Sequence, residues 1–300
     1  MKQDSERNHQ DRASVAPGLE LVVAGLTDLG RVRKNNEDAF LIFDLSAPSA
    51  TPPADASLAV GPRGLVLAVA DGMGGSQAGE VASTLALDAV RRSLSGAPGG
   101  AMPDLALRRA IECANQEVFA AARAPETDGI GATLTACLVQ GTTAYVAVVG
   151  DSRAYVLRGR RLVQLTHDQS YVQFLIDSGT LSARDASHSL LRNVVLQAVG
   201  KAPEVTVAMS RLALRRDDQL LLCTDGLTNM AQDGEVASLV ASAMSPAMAC
   251  VQLISRANQH GGRDNITVIV ARVGGQVSEW RDDEDFAATF RILTTYEPDA

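Results

Sequence analysis

Apolar runs of strand length in this chain repeatedly meet an aspartate at one end. Asp71 ends GLVLAVADG, Asp151 ends AYVAVVGDSR, Asp225 ends QLLLCTDG, and Asp264 opens GGRDNITVIVA. Short apolar runs bounded by glycines read as strands buried on both faces. A carboxylate at the rim of such a strand is held rigidly and still reaches solvent. Several together repel one another and resist ionising unless a cation neutralises them. All-oxygen ligand sets favour hard divalent ions such as Mg²⁺ or Mn²⁺. The simplest reading is a metal cluster at one edge of a sheet core.

The remaining pattern says what kind of core. Strands are predicted at LELVVAGLTD and DAFLIFDL, followed by an excursion over 46–64 rich in Pro, Ala, Ser and Gly. After the GMGG loop a helix is predicted, with Ser76 as N-cap and Val81, Leu85, Ala89 and Val90 near helical spacing. SGAPGGAMP breaks it, and a second helix runs from Asp104 to Ala122. GATLTACLV, TAYVAVVGD, RAYVLR and RLVQLT read as a meander turning at Gln140-Gly141 and Gly159-Arg160. Short helices are expected over Gln169 to Asp177 and Ala183 to His188, and strands at VTVAMSRL and DQLLLCT. Helices then cover Asp233 to Ala243 and Pro246 to Gln259, and NITVIVARV is the last core strand. Strands come in clusters between helix pairs, not in strict βαβ alternation. The expected class is α+β: two stacked, mainly antiparallel sheets flanked by helices, a four-layer α-β-β-α sandwich.

The 300 residues, 46% of them hydrophobic, suffice for a sizeable core. A net charge of −8 opposes a nucleic-acid role. No stretch approaches the ~18 uncharged apolar residues of a membrane span. The start, MKQDSERNHQDR, lacks the apolar centre of a secretory signal, so a cytoplasmic protein is expected. Residues 1–18 read as a flexible tail, 19–274 as the folded domain, and 275–300 as an acidic extension that could be a packed helix or a mobile tail. Cys113, Cys137, Cys223 and Cys250 are scattered and read as buried free thiols. Cys250 and Arg256 have the Cys-x5-Arg spacing of cysteine phosphatases, but CVQLISR is an amphipathic helix without a glycine phosphate loop, and chance explains the match.

Each remaining cluster has a bland reading. TDLGRVRKNNED packs an arginine, an amide and two carboxylates into what could be a solvated turn. Asp71-Gly72-Met73-Gly74-Gly75 could be an ordinary strand-to-helix turn, although glycines let a backbone carbonyl approach a metal. Gly150-Asp151-Ser152-Arg153, Asp225-Gly226 and Gly262-Arg263-Asp264-Asn265 could be turns. Their joint occurrence in this order is not easily explained by turns.

The ordered set resembles the metal-dependent protein serine/threonine phosphatases of the PP2C (PPM) family in its bacterial form. The matching pieces are TDLGRVRKNNEDAF, VADGMGG, GATLTACLV, VGDSRAYVLR, LTHDQS, RNVVLQAVG, LLLCTDGLTN and GGRDNITVIV, spanning about 21 to 273. The resemblance implies a central pair of antiparallel sheets and two core Mn²⁺ or Mg²⁺ ions. It makes Asp71 the bridging carboxylate and gives Gly72 a carbonyl on one ion. Asp225 and Asp264 complete the second ion's sphere, and Asp38 is a first-motif acid in the metal and catalytic set. Glu37 acts through bound water, Asn265 orients Asp264, and Asp151 holds a third, weaker ion. Arg33 grips the substrate phosphate with its guanidinium fork. The implied reaction is hydrolysis of phosphoserine and phosphothreonine in proteins by a hydroxide bridging the two ions, opposing a bacterial Ser/Thr kinase. Eukaryotic relatives carry a histidine after Asp-Gly where this chain has Met73. His167 and His188 are candidate proton donors on paper, though solvated or structural histidines are the simpler reading. Two other readings stay open: a phosphoprotein-binding module without hydrolysis, and a phosphatase of the sporulation or stress-response type.

Overall fold

LVLAVADGM forms β4 (Leu65–Met73), and its alternation decides the layering. Val66, Ala68 and Ala70 face one core while Leu65, Leu67 and Val69 face another. A period of two places successive side chains on opposite faces, so a strand buried on both reads as an unbroken apolar run. The computed structural model describes residues 18–47, 53–74, 78–186, 189 and 191–298. The other strands are β1 (Leu19–Asp28), β2 (Asp38–Asp44), β3 (Ala56–Ala59), β5 (Gly131–Ala132), β6 (Leu134–Gln140), β7 (Thr143–Val149), β8 (Arg153–Arg158), β9 (Arg161–Gln164), β10 (Ala208–Ala213), β11 (Gln219–Cys223), β12 (Ile266–Gly275) and β13 (Phe290–Thr294). The helices are α1 (Ala78–Gly96), α2 (Pro103–Ala121), α3 (Tyr171–Asp177), α4 (Ala183–Ala186), α5 (Asp225–Thr228), α6 (Asp233–Ser242) and α7 (Pro246–Gln259), with α8 (Phe286–Thr289) near the end.

Two antiparallel sheets result, ordered β3-β1-β12-β11-β8-β9 and β13-β10-β7-β6-β4-β2, with β5 paired to β4. The sheets enclose a core that includes Leu67, Val146, Leu222 and Ile269. α1 and α2 cover the outer face of the second sheet through Ala86, Val90, Leu107 and Ile111. α7 covers the outer face of the first through Cys250, Leu253 and Ala257, joined by Val236 and Val240 of α6. This is the expected four-layer α-β-β-α sandwich. α7 starts as its sequence directs, with Ser245 Oγ accepting from Met248 N and Pro246 in the first turn.

Some details differ from the sequence expectation. The predicted meander is two hairpins in different sheets: β6 pairs β7 in one and β8 pairs β9 in the other. The chain crosses between sheets at Gly150–Ser152, which places Asp151 on the crossover. The excursion over 46–64 contributes β3, a short edge strand on β1. On α1, Ala89 and Val90 face the core as expected and Leu85 packs against it, but Val81 is 45% exposed, and Ala82 and Ala86 are buried there too. β12 is the last core strand, as expected, but a further strand, β13, follows at the edge of the other sheet beside β10. The extension after Gly275 packs through its described residues. Arg158 and Asp218 form a buried ion pair at 2.6 Å, Arg158 also donates to Thr289 Oγ1 at 2.7 Å, and Trp280 and Phe286 stack over its guanidinium. The expected tail over 1–18 and the expected cap Ser76 lie outside the described residues, Gly18 excepted.

Candidate functional site

Antiparallel pairing carries the acidic strand ends to one edge of the sandwich. Asp38 opens β2 directly opposite Asp71 near the end of β4. Asp28 closes β1 opposite Ile266, the first residue of β12, so Asp264 and Asn265 precede that strand at the same edge. Cys223, the last residue of β11, pairs with Val268 of β12, which brings Asp225 alongside. Val149, the last residue of β7, pairs with Leu134, the first of β6, and Asp151 follows.

A pocket of about 250 Å³ opens there, lined by Arg33, Glu37, Asp71, Gly72, Asp151, Asp225 and Asp264 among others. Two larger cavities of about 450 Å³ lie elsewhere, one mostly apolar between β10, β13 and β9, the other beside Trp280. Chemistry rather than size picks out the smaller one, where the carboxylates converge. Asp38 lies behind the pocket wall, its Oδ2 accepting from Thr224 Oγ1 at 2.8 Å. Asn265 also sits behind it. Its Oδ1 accepts from Glu37 N at 2.9 Å, and its Nδ2 donates to the carbonyls of Leu29 and Asn35. Gly72 is pressed against α1 so closely that a Cβ would collide with the Gly79 carbonyl, so only glycine fits.

The electrostatics are those of crowded acids. Burial, followed by the charges of Asp38, Asp225, Asp151 and Asp264, pushes Asp71 well above the usual carboxylate range. Burial raises Asp151 to about 8, aided by Asp225. Burial raises Asp38 to about 7 against the hydrogen bonds of Thr267 and Thr224. Asp225 is pushed up to about 6 by burial and then by Asp264. Glu37 is raised as well, chiefly by burial. Asp38 Oδ1 and Asp225 Oδ1 are buried without any hydrogen-bond partner. Orphaned carboxylate oxygens among like charges are costly unless a cation meets them, and an all-oxygen set suits a hard divalent ion. Among the described residues no three His, Cys, Asp or Glu side chains stand as a closed metal-ligand group. Two of the carboxylates make other bonds: Asp264 Oδ2 accepts from Arg33 Nη2 at 2.7 Å, and Asp38 Oδ2 from Thr224 Oγ1. The all-oxygen donor set and the two orphaned carboxylate oxygens fit a divalent cation.

Sequence reasoning gave no role to Thr133, Thr224 or Asn229. Thr133 Oγ1 accepts from Asp71 N at 3.1 Å and is hydrogen-bonded to Ser152 Oγ at 2.8 Å, linking the Asp71 and Asp151 segments. Asn229 Nδ2 holds Asp225 Oδ2 at 2.9 Å. The signal was their place inside the GAT, CTDG and GLTN strings. His167 is bonded to Asp177 on the surface and lines the apolar cavity, not this pocket. His188 lies outside the described residues. Cys137, Cys223 and Cys250 are buried, with thiols pushed up to about 12 by burial. The Cys250 Sγ donates to the Ala24 carbonyl at 3.5 Å, as a structural thiol does.

Comparison with known proteins agrees with this geometry. The sequence profile described as Protein phosphatase 2C matches residues 49–260. The chain belongs to the protein phosphatase 2C family. It is thereby an enzyme, a protein serine/threonine phosphatase, as the resemblance implied. The serine/threonine phosphatase stp of Listeria monocytogenes is 34% identical over 249 residues, 81% of this chain and 92% of that one. The serine/threonine protein phosphatase PstP of Mycobacterium tuberculosis is 36% identical over 258 residues, 85% of this chain but 45% of PstP, so this phosphatase spans less than half of that relative's length. The PstP/Ppp crystal structure superposes with a TM-score of 0.73 at 33% identity, covering 87% of this chain and all of that one. The PstP catalytic domain in complex with two manganese ions superposes with a TM-score of 0.71 at 33% identity, covering 85% of this chain and 99% of that one. The antiparallel sandwich flanked by helices is the fold these structures share with it. No helix among the described residues is long and apolar enough to cross a membrane.

Proposed function

We propose that the carboxylate pocket is the active site of a metal-dependent phosphatase acting on phosphoserine and phosphothreonine in proteins. The observation that carries it is the convergence of Asp71, Asp151, Asp225 and Asp264 on one pocket with Arg33 at its rim. Asp71, Asp225, Asp264, Asp38 and the Gly72 carbonyl would hold two core ions, and Asp151 a third. PstP bound to two manganese ions supports that reading and favours Mn²⁺, with Mg²⁺ the alternative. Bound there, divalent ions acidify water into a nucleophile and offset the charge of the phosphoryl oxygens.

The chain's own residues do the rest. Arg33 keeps about half of its side chain exposed and spends one arm of its fork on Asp264, leaving donors for a phosphate dianion. Asn265 ties the Asp264 segment to the loop that carries Arg33. Thr133 and Asn229 fix Asp71 and Asp225. Met73 lines the pocket without a transferable proton, and water there supplies the proton that the leaving serine or threonine oxygen takes up. Cys137, Cys223 and Cys250 are buried, Cys113 is half-buried on α2, and no cysteine lines the pocket, so the site offers no thiolate for a cysteinyl-phosphate route. A protein serine/threonine kinase would supply the substrates, and residues 19–274 form the catalytic domain.

Hydrolysis of a phosphothreonine peptide should vanish in excess EDTA and return with Mn²⁺, whereas full activity in EDTA would refute the metal mechanism. Arg33→Ala should raise KM roughly 10–100-fold, the scale of lost charged hydrogen bonds, and lower kcat less. An unchanged KM in steady-state kinetics would remove Arg33 from phosphate binding.

A further inference from the structure

We infer that Arg31, Lys34 and Arg263 form a cationic collar around the pocket mouth that selects phosphorylated segments with aspartate or glutamate beside the phosphoresidue. This rests on the phosphatase reading above and extends it to the class of protein sequence recognised.

The collar is built from two loops pressed together. Arg31 N donates to the Gly262 carbonyl at 2.7 Å. Gly30, at φ 79°, lies so close that a Cβ would collide with the Asp264 carbonyl. Arg33 then bridges from the first loop to the Asp264 carboxylate of the second. Arg31 and Lys34 therefore flank the phosphate-facing arginine on one loop, and Arg263 adjoins Asp264 on the other.

The charge here runs against that of the molecule. The chain carries 35 acidic residues against 27 Lys and Arg, yet the stretch from Leu29 to Asn36 holds three cations and no acid. Arg31, Lys34 and Arg263 are all exposed. None of the three forms an ion pair among the described residues, although the chain pairs many other arginines. The neighbouring acids are engaged elsewhere. Asp28 accepts from Gly30 N and Asn258 Nδ2, Asp264 accepts from Arg33 and Asn265 N, and Glu37 lines the pocket interior. Unpaired cations at the mouth of an acidic pocket attract anionic groups that need not enter it. Between them Val32 is 64% exposed, giving a bound peptide an apolar foothold.

The test uses the full Mn²⁺-loaded chain and three phosphothreonine peptides of equal length whose flanks are acidic, neutral or basic, with p-nitrophenyl phosphate as a probe without flanks. At low salt kcat/KM should fall from acidic to neutral to basic, with the extremes roughly 5–30-fold apart, the product of three exposed charge contacts. The gap should shrink as salt screens the contacts. In Arg31→Glu/Lys34→Glu/Arg263→Glu the order should reverse. If that variant fails to fold, Lys34→Gln/Arg263→Gln should still flatten the preference. A wild-type enzyme that ignores flank charge overturns the collar. So does a variant that loses all peptides and p-nitrophenyl phosphate by the same factor, since that describes general attraction of phosphate. Absence of hydrolysis of every probe would instead sink the phosphatase reading, and the collar with it.

Discussion

Asp71→Asn is expected to reduce turnover of a phosphothreonine peptide by at least about 10²–10³-fold, the scale for losing one preorganised charge-stabilising group, while the chain stays folded. The geometry separates the two effects. The Asp71 backbone is held through its own N–H on Thr133 Oγ1 and its carbonyl on Thr133 N, and neither bond involves the carboxylate. Asn preserves the shape and removes a charge that burial and four other acids already oppose. In EDTA at pH 8 the variant should therefore melt at or above the wild-type temperature, because a repelling charge has gone. With Mn²⁺ the order should invert, because a ligand has gone too. Retention of more than a tenth of the wild-type kcat, or unfolding at ambient temperature, would remove Asp71 from the centre of the site.

Much of this was legible because strand ends announce themselves. β4, β11 and β12 are continuous apolar runs, and their terminal aspartates lie where antiparallel pairing must bring them. The sandwich followed from strand clusters between helix pairs. Three things were not legible. The β7-to-β8 connection looks like any hairpin turn, since local composition does not record which sheet receives the next strand. The fate of the C-terminal segment depends on Arg158, which reads as a turn-flanking cation. Its burial against Asp218 and beneath Trp280 is a long-range event with no period to betray it. The bond from Arg33 to Asp264 is likewise invisible in GGRDN, because it requires two loops 231 residues apart to touch. Thr224 and Thr133 were missed for a milder reason: a buried threonine beside an apolar strand looks like packing until its hydroxyl is seen on a site residue.

The metal-free enzyme should lose stability as pH rises from about 5 to 8, and added Mn²⁺ should restore it most at the upper end. The sign follows from the raised values. Asp225, Asp38 and Asp151 titrate at about 6, 7 and 8 in the folded chain, each above the 3.8 of a free aspartate, and burial among these acids raises Asp71 well above it too. The folded state therefore binds more protons than the unfolded state across this interval. Its contribution is fully present below about pH 4 and is lost as pH climbs through each folded value. A divalent cation competes with those same protons. At pH 5 it must displace them, whereas at pH 8 it meets Asp225 and Asp38 ionised and fewer protons to displace from the cluster. At a hundred times its dissociation constant one ion adds about 2.7 kcal/mol, which corresponds to roughly 5–10 °C in Tm at this size. The measurement is thermal denaturation at fixed ionic strength from pH 5 to 8, with EDTA and with Mn²⁺. A metal-free Tm that climbs with pH, or a Mn²⁺ shift larger at pH 5 than at pH 8, would mean that these carboxylates do not form one mutually repelling, cation-seeking cluster.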